Sequence, residues 1–197
     1  MKAITKLSQL DVTKQYTYAN YLTWKFAERV ELIKGWILQM SPAPNLGHQK
    51  VSMNLAASLF EHFDNQICTV FSAPFDVRLF KKNKNDEKVT TVVQPDICVI
   101  CDSKKLDEKG AIGSPELIVE IISPGNSKRD LKIKFDLYEE NGVLEYWVVN
   151  QLEKNVQQFY LQNKKFEFGG TYYDNEMLTS HYFKTLTVSL QKVFRNL

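Results

Sequence analysis

The sequence contains no run of apolar residues that approaches the roughly 18 needed for a membrane-spanning helix. Its opening, MKAITKLSQLDVTK, lacks the apolar core of a secretory signal peptide. These absences give no reason to expect export or attachment to a membrane. We therefore expect a cytoplasmic protein that has no membrane partner.

Cysteine is scarce as well, with three residues in the chain, an odd number that does not suggest a disulfide framework. Cys98 and Cys101 lie in DICVICD, a segment typical of a strand. Residues three apart on a strand point to opposite faces, so this pair is not expected to hold a metal together. We predict that both are buried as small apolar side chains.

The chain also has little excess of charge of one sign, because 25 Lys and Arg stand against 23 Asp and Glu, for a net charge of +2. A strongly basic balance would favour a nucleic-acid partner, whereas this one neither favours nor excludes it. Internal repeats, low-complexity tracts and linkers rich in Pro, Gly or Ser are absent. The 197 residues are therefore predicted to form a single domain over 1–197.

Apolar periodicity predicts an α/β (α+β) protein. Helices are expected over about 17–28, 45–66 and 128–141. Strands are expected at 31–40, 68–80, 92–102, 116–122, 143–150 and 156–162, with further strands in the C-terminal tail. The strand, helix and strand over 116–149 form a βαβ-like unit. This order predicts a central mixed β-sheet flanked by helices, with additional β-strands at the N- and C-terminal ends.

One carboxylate lies inside the most apolar of these strands. In LIVEII at 117–122, Glu120 is the only polar residue. Strand alternation places it on one face with Ile118 and Ile122, and the other face is apolar throughout, so the strand is predicted to be covered on both sides. An ionised carboxylate in that position is costly unless it meets a cation, a metal or several hydrogen-bond donors.

The chain offers partners for this carboxylate. Asp96 follows Pro95 at the start of the apolar segment DICVIC. Asp130, Lys134 and Tyr138 have the i, i+4, i+8 spacing that places them along one stripe of a helix. Two acids and a lysine that converge at strand ends suit a Mg²⁺-dependent phosphodiester hydrolase, because carboxylates bind the hard cation and the lysine positions water or stabilises phosphate charge.

The same spacing also fits a structural role. Glu120 and Lys134 would then form a buried ion pair, and Asp96 would be a turn or cap residue. A glycosidase with two catalytic carboxylates is a further alternative, but it gives no account of Lys134. Spacing alone does not choose between these interpretations.

Several motifs taken together resemble the Uma2 family (DUF820), restriction endonuclease-like proteins of the PD-(D/E)XK nuclease superfamily. These motifs are QPD at 94–96, PELIVEIISP at 115–124, the D, K and Y at 130, 134 and 138, and GVLEYWVVN at 142–150. VELIKGWILQMSPAPNLGHQ matches the opening of that family, so the resemblance extends over about residues 10–160. It implies a restriction endonuclease-like core and an endonuclease that acts on nucleic acid, DNA in preference to RNA.

The resemblance also implies roles for individual residues. Asp96 and Glu120 would bind Mg²⁺ or Mn²⁺, with the backbone carbonyl of Ile121 as a third ligand. Lys134 would supply the lysine that assists attack of water, and Glu31 would be an additional acid of the site.

His48 and Tyr138 are second-tier candidates. His48 would contact substrate near the cleft, although a lone histidine near a helix start is more often a cap or a surface group. Tyr138 would orient the lysine or a phosphate, although packing of its ring is the favoured interpretation. Asp130 would either pair with Lys134 or lie solvated near the helix N-terminus.

One position departs from the family pattern. Uma2 proteins commonly end the YWVV strand with an acid, and this chain has Asn150. If that charge matters, activity is in doubt, but a turn role for Asn150 is preferred. A catalytically inactive nucleic-acid- or protein-binding module on the same fold is therefore the alternative function. Homodimerisation through FGGTYY at 168–173 is a further expectation.

Overall fold

The structure, a computed structural model, describes residues 3–40, 45–80, 85–122 and 128–197, without the side chains of Lys128 and Arg129. The Pro-x-Pro of the N-terminal motif and the Ser-Pro of PELIVEIISP lie outside these residues. The helices are α1 (Tyr18–Tyr21), α2 (Leu46–Phe63), α3 (Lys128–Asn141) and α4 (Leu190–Val193). The strands are β1 (Val30–Ile33), β2 (Trp36–Gln39), β3 (Thr69–Ser72), β4 (Val77–Leu79), β5 (Thr91–Val93), β6 (Ile97–Ile100), β7 (Leu106–Asp107), β8 (Gly110–Ile112), β9 (Leu117–Ile122), β10 (Glu145–Asn150), β11 (Asn155–Gln162), β12 (Lys165–Tyr173), β13 (Met177–Thr179) and β14 (Thr187–Ser189).

Two mixed sheets dominate the architecture. The first sheet has the strand order β2-β1-β5-β4-β8-β7, and the second has the order β12-β11-β10-β9-β6-β3. Each sheet contains one parallel pair, β4 with β8 and β9 with β10, among antiparallel neighbours. Strands β13 and β14 form a separate small hairpin. The predicted mixed α/β fold is therefore confirmed.

Helix α3 is the crossover of a βαβ unit, as the sequence predicted. It connects β9 to the parallel strand β10, and the register of that pair places Glu120 beside Val148. Lys34 of the first sheet reaches this helix, with its Nζ 3.0 Å from a carboxylate oxygen of Glu140. Helix α3 connects two strands of the second sheet and is contacted by Lys34 from the β1–β2 turn of the first sheet. Its side chains can therefore reach both sheets.

The core forms layers on the two faces of the second sheet. On one face α2 packs Val51, Leu55 and Leu59 against Val119 and Trp147. On the other face lies the inter-sheet cluster, which contains buried residues of both sheets and of α3: Val77, Leu79, Val93, Cys98, Ile100, Ala111, Ile118, Leu137, Tyr138, Val143, Tyr146 and Val148. Glu120 lies on this second face together with Ile118, so it points into the layer between the sheets and α3.

Two N-terminal predictions are wrong in extent. The helix expected over 17–28 is the single turn Tyr18–Tyr21, because the following chain turns away and packs the Trp24 ring against the rings of Tyr21 and Phe26. The single strand expected at 31–40 is the hairpin of β1 and β2. Its turn residues Lys34 and Gly35 have φ angles of 53° and 87°, and the second of these favours glycine.

The long strands expected at 68–80 and 92–102 are each divided between the two sheets. Strands β3 and β6 belong to the second sheet, whereas β4 and β5 belong to the first. Each division contains a proline, Pro74 or Pro95, which has no N–H to donate to a sheet ladder. The hairpin of β7 and β8 was not predicted.

The prediction for the cysteines is wrong in part. Cys68 and Cys101 form a disulfide, whereas Cys98 is buried with a free thiol as expected. Thr69 and Ile100 are partners in the antiparallel pair β3–β6, so the residues that flank them face each other at the strand ends. Among the described residues, no helix is both long and apolar enough to cross a membrane.

Candidate active site

Lys134 connects two carboxylates that come from different sheets. Its Nζ lies 2.8 Å from Oε1 of Glu120 on β9 and 3.0 Å from Oε1 of Glu31 on β1. These two carboxylate oxygens are therefore at most about 6 Å apart. The Glu31 side chain is 1% exposed and the Lys134 and Glu120 side chains are 14% and 12% exposed, so the three groups form a mostly buried cluster that solvent reaches at Lys134 and Glu120.

Tyr138 lies one helical turn after Lys134 and contacts the same carboxylate. Its hydroxyl donates a 2.6 Å hydrogen bond to Oε1 of Glu120, and its ring is fully buried in the inter-sheet cluster. Tyr138 therefore both packs its ring in the core and donates its hydroxyl to a residue of the charged group. The i, i+4 spacing on α3 places the ammonium and the hydroxyl side by side above β9.

Asp96 directly precedes β6 and lies beside Glu120. The register pairs Ile97 with Val119, and continuing it by one residue sets Asp96 opposite Glu120. Oδ2 of Asp96 accepts a 2.7 Å hydrogen bond from the N–H of Ile121. In a strand the N–H and C=O of one residue point to the same side, so the carbonyl of Ile121 is directed toward the Asp96 flank.

His48 contacts Asp96 from the first turn of α2. Its Nε2 lies 3.3 Å from Oδ1 of Asp96, and the residue is 7% exposed. Asn45 caps this helix by accepting a hydrogen bond from the N–H of His48. The structure thus brings the sequence-predicted residues Glu31, His48, Asp96, Glu120, Lys134 and Tyr138 into one connected group.

Charge in this group is unbalanced. The group contains three carboxylates, those of Glu31, Asp96 and Glu120, and one ammonium, that of Lys134, which contacts Glu31 and Glu120. Burial raises the pKa of Glu120 to about 7, since it outweighs the opposing effect of Lys134, and the negative charges of Asp96 and Glu31 add to the rise. The pKa of Lys134 is raised despite its burial, because Glu120 and Glu31 stabilise the ammonium. Lys134 is therefore a cation at neutral pH.

Comparison with known proteins identifies the family. A model of the Uma2 family, with the description "Putative restriction endonuclease", matches residues 18–191. The chain belongs to the Uma2 family. The match covers all the elements that supply the charged group, from Glu31 on β1 to Lys134 on α3.

Two known proteins are similar to this Uma2 chain. Protein slr1290 of Synechocystis sp. (strain ATCC 27184 / PCC 6803 / Kazusa), named as uncharacterized, is 27% identical over 131 residues, which are 66% of this chain and 65% of that protein. The chain thus spans somewhat less than two thirds of the length of that curated relative. The crystal structure of "a putative nuclease belonging to DUF820" from Anabaena variabilis ATCC 29413 superposes with a TM-score of 0.70 at 20% identity, covering 91% of this chain and 97% of that one. This similarity shows a shared fold.

The donor atoms of this Uma2 site suit a hard divalent cation. Mg²⁺ prefers oxygen ligands and commonly binds through one or two carboxylates while it keeps several waters. Asp96 and Glu120 offer carboxylate oxygens from adjacent strands, and Ile121 offers a carbonyl. In the described ranges no group of three or more His, Cys, Asp or Glu side chains is arranged to enclose a metal. The residues therefore fit a partly hydrated ion on two carboxylates better than an ion enclosed by protein ligands.

A polar cluster behind Glu31 was not found from the sequence. The N–H of Gln94 donates to Oε1 of Glu31 at 2.8 Å, and the Gln94 amide donates to Asp76 at 2.8 Å and to Tyr21 at 3.2 Å. Arg29 donates to the Gln94 carbonyl oxygen at 2.8 Å. Gln94 was visible as the first residue of QPD, but its partners are far away in the sequence and no spacing rule connects them.

Asn150, a further sequence candidate, has a local role. Oδ1 of Asn150 accepts hydrogen bonds from the N–H groups of Leu152 and Glu153, both at 3.1 Å, which confirms the turn interpretation. Glu31 and Glu120, rather than Asp130, are the carboxylates that contact Lys134 in the described part of the chain.

Proposed function

We propose that this protein is a metal-dependent nuclease that hydrolyses phosphodiester bonds of nucleic acid, DNA in preference to RNA. The observation that carries the proposal is the excess of negative charge around Lys134. Glu31 on β1, Glu120 on β9 and Asp96 directly before β6 converge, and one ammonium does not balance the three carboxylates. A buried cluster of this kind is costly to a fold unless a cation completes it.

Asp96, Glu120 and the carbonyl of Ile121 would hold Mg²⁺ or Mn²⁺ at this position. Such an ion, when bound, lowers the pKa of a coordinated water and stabilises negative charge on a phosphate. The hydrogen bond from the N–H of Ile121 fixes one oxygen of Asp96, and the contact with His48 fixes the other. The Asp96 carboxylate is therefore held in position before any substrate arrives.

Lys134 acts as a positioned cation rather than as a base. Its raised pKa keeps it protonated at neutral pH, so it does not accept a proton from water. Its ammonium has three donors, and Glu31 and Glu120 orient two of them. The remaining donor is available to orient a water molecule or to stabilise charge that develops on the phosphate.

The proposal is tested by incubating the purified protein with single-stranded, double-stranded and branched DNA and with matched RNA, in Mg²⁺, Mn²⁺ or EDTA. We expect cleavage that requires the metal. Lys134→Ala should slow it by about 100-fold or more. Lys134→Arg, which keeps the charge but changes the donor geometry, should also be impaired.

Lys132→Ala is the matched control, because Lys132 lies on the same helix, is exposed and pairs only with Asp136 in the described structure. It should cleave as the wild type does. Metal-dependent cleavage that is equal in wild type and Lys134→Ala would contradict the role of the lysine. If the wild type binds these nucleic acids and cuts none of them, the alternative of a catalytically inactive binding module is supported instead.

A further inference from the structure

Gln94 connects the acidic group to an exposed arginine. Its backbone N–H donates to Oε1 of Glu31 at 2.8 Å, and its side-chain Oε1 accepts hydrogen bonds from Nε and Nη2 of Arg29 at 3.2 and 2.8 Å. Arg29 directly precedes β1, and Gln94 directly follows β5, two residues before Asp96. Since both groups contact Gln94, Nη2 of Arg29 lies at most about 12 Å from Oε1 of Glu31.

Asp76 fixes the orientation of the Gln94 amide from the other side. An ionised carboxylate only accepts hydrogen bonds, so the NH₂ group of Gln94 faces Asp76, with Nε2 2.8 Å from Oδ1. Tyr18 and Tyr21 donate their hydroxyls to the two oxygens of Asp76, and the hydroxyl of Tyr21 also accepts from Nε2 of Gln94 at 3.2 Å. Tyr18 is fully buried, so this support belongs to the core. The amide oxygen of Gln94 is thereby directed at Arg29.

The guanidinium of Arg29 keeps one edge free of protein partners. It has five N–H donors, and the bonds to Gln94 use the edge formed by Nε and Nη2. Among the residues that the structure describes, no carboxylate pairs with Arg29, and the residue is exposed. The remaining edge, formed by Nη1 and Nη2, carries two parallel N–H groups. Such an edge matches two oxygens of one phosphate.

The partner of Arg29 orients its guanidinium without neutralising it. An ion pair with a carboxylate would reduce the attraction of the guanidinium for an anion, whereas the bond to a neutral amide leaves the full positive charge. Holding a long exposed side chain in one conformation costs conformational entropy. A ligand that binds the side chain already in place is spared that cost. The arrangement therefore suits a cation that receives an anionic ligand.

We propose that Arg29 is a substrate-binding residue whose guanidinium binds a phosphate of the nucleic-acid backbone, and that Gln94 is its positioning residue. This rests on the proposed function, which makes nucleic acid the ligand. The reacting phosphate would lie at Asp96 and Glu120, and Arg29 would bind another phosphate of the same strand, at the separation that Gln94 sets. A phosphate contact carries no sequence information, so it would position the strand without selecting a sequence.

The first test measures the affinity of a fluorescent DNA oligonucleotide by anisotropy in EDTA, where metal-dependent cleavage does not occur, at several salt concentrations. Arg29→Gln should weaken binding about tenfold and reduce the slope of log affinity against log salt concentration by about one, as expected for the loss of one phosphate contact. Arg29→Lys should keep the slope and bind more weakly than the wild type, because it keeps the charge and loses the two-pronged contact.

Lys184→Gln is the matched control for the loss of one positive charge. Lys184 is exposed and lies in the loop whose Ser180 and Tyr182 bind Glu145 at the start of β10, whereas Glu120 pairs with Val148 near the end of that strand. Its affinity and salt slope should match those of the wild type.

The second test measures how far Arg29 depends on Gln94. Gln94→Met removes the acceptor of Arg29 but keeps the backbone N–H that holds Glu31, and it should weaken DNA binding when arginine is present. In a chain that already carries Arg29→Gln it should have little further effect, because both residues act through one contact. Equal losses of affinity in the two backgrounds would show that Gln94 does not act through Arg29.

The outcomes separate this proposal from that of the nuclease. Equal affinity and equal salt slope in the wild type and Arg29→Gln overturn the role of Arg29, whether or not the protein cleaves DNA. A wild type that binds DNA without cleaving it contradicts the nuclease, and the Arg29 variants then still decide the phosphate contact. Arg29→Gln should keep the thermal midpoint of the wild type, and a loss of stability in proportion to the loss of affinity would assign Arg29 a structural role instead.

Discussion

The ammonium of Lys134 lies 2.8 Å from Oε1 of Glu120, although the two residues are 14 positions apart and belong to different elements. The same oxygen accepts the hydroxyl of Tyr138, so Glu120 receives two donors from one stripe of α3. Even with these donors, burial and two neighbouring carboxylates raise the pKa of Glu120 to about 7. Glu120 is therefore unfavourable to the metal-free fold in its ionised form, and this property leads to measurable consequences.

Stability of the metal-free protein should depend on the charge of Glu120. Its pKa in the folded state, about 7, is above its ordinary value of 4.5. The stability that protonation contributes is therefore complete below pH 4.5 and is lost as the pH rises through 7. Glu120→Gln should be more stable than the wild type at pH 8 by roughly 1–3 kcal/mol, and much closer to it at pH 5. Urea unfolding in EDTA at both pH values measures this difference.

Glu145 provides the contrasting variant, because it is a fully buried carboxylate with enough donors. Its oxygens accept hydrogen bonds from Trp147, Gln158 and Ser180 and from the N–H groups of His181 and Tyr182. Glu145→Gln should lower the free energy of unfolding by about 2–4 kcal/mol, since an NH₂ group would face donors. Equal effects at 120 and 145 would contradict the distinction between a functional and a structural carboxylate.

Removal of the Glu31 side chain should destabilise the protein, because its hydrogen-bond and ion-pair partners lose an acceptor. Glu31→Ala leaves the N–H of Gln94 without this acceptor and removes one of the two carboxylates that contact Lys134. The free energy of unfolding, measured with denaturant, should therefore fall by about 2–4 kcal/mol. Glu31→Gln keeps an oxygen for the Gln94 N–H and should lose less. If the alanine and glutamine variants are equally stable, the hydrogen bond to Gln94 contributes nothing.

Divalent metal should stabilise the wild type by binding only the folded state. Addition of Mg²⁺ or Mn²⁺ should raise the thermal midpoint, and the rise should be absent in Asp96→Asn and in Glu120→Gln. Asp102→Asn, at a residue that caps a surface turn, is a control that should keep the rise. A rise that persists in Asp96→Asn would place the metal elsewhere.

Thiol reactivity should report the state of the three cysteines. Cys68 and Cys101 are bonded to each other, and burial raises the pKa of the Cys98 thiol, so the native protein should not react with a thiol reagent. Unfolding without a reductant should expose one reactive thiol per chain, and unfolding with a reductant should expose three. Three reactive thiols without a reductant would show that the disulfide is absent.

The βαβ unit and the proximity of Glu120 to Lys134 and Tyr138 could be predicted because they depend on local patterns, whereas a place for Glu31 in the site was implied only by the resemblance to the Uma2 family. Glu120 stood out as a single acid in an apolar strand, and the i, i+4 spacing of Lys134 and Tyr138 on α3 fixed their common stripe. The turn role of Asn150 likewise depends only on the residues that follow it.

Features that depend on the meeting of distant segments were not predicted. The strands expected at 68–80 and 92–102 have continuous apolar patterns, and nothing local shows that each one changes sheet at its proline. The pairing of Cys68 with Cys101 follows from the β3–β6 register, which neither cysteine reveals.

A hydrophobic layer determines the distance between the two acidic sides of the site. Glu31 is carried by the first sheet and Glu120 by the second, and the inter-sheet cluster sets the spacing of the two sheets. A smaller side chain in that layer, such as alanine at Val93, would let the sheets settle toward each other and change the gap that a cation must fill. Substitutions should therefore be tolerated least at buried apolar positions between the sheets. These residues do not contact a substrate, but they set the distances between the charged groups of the site.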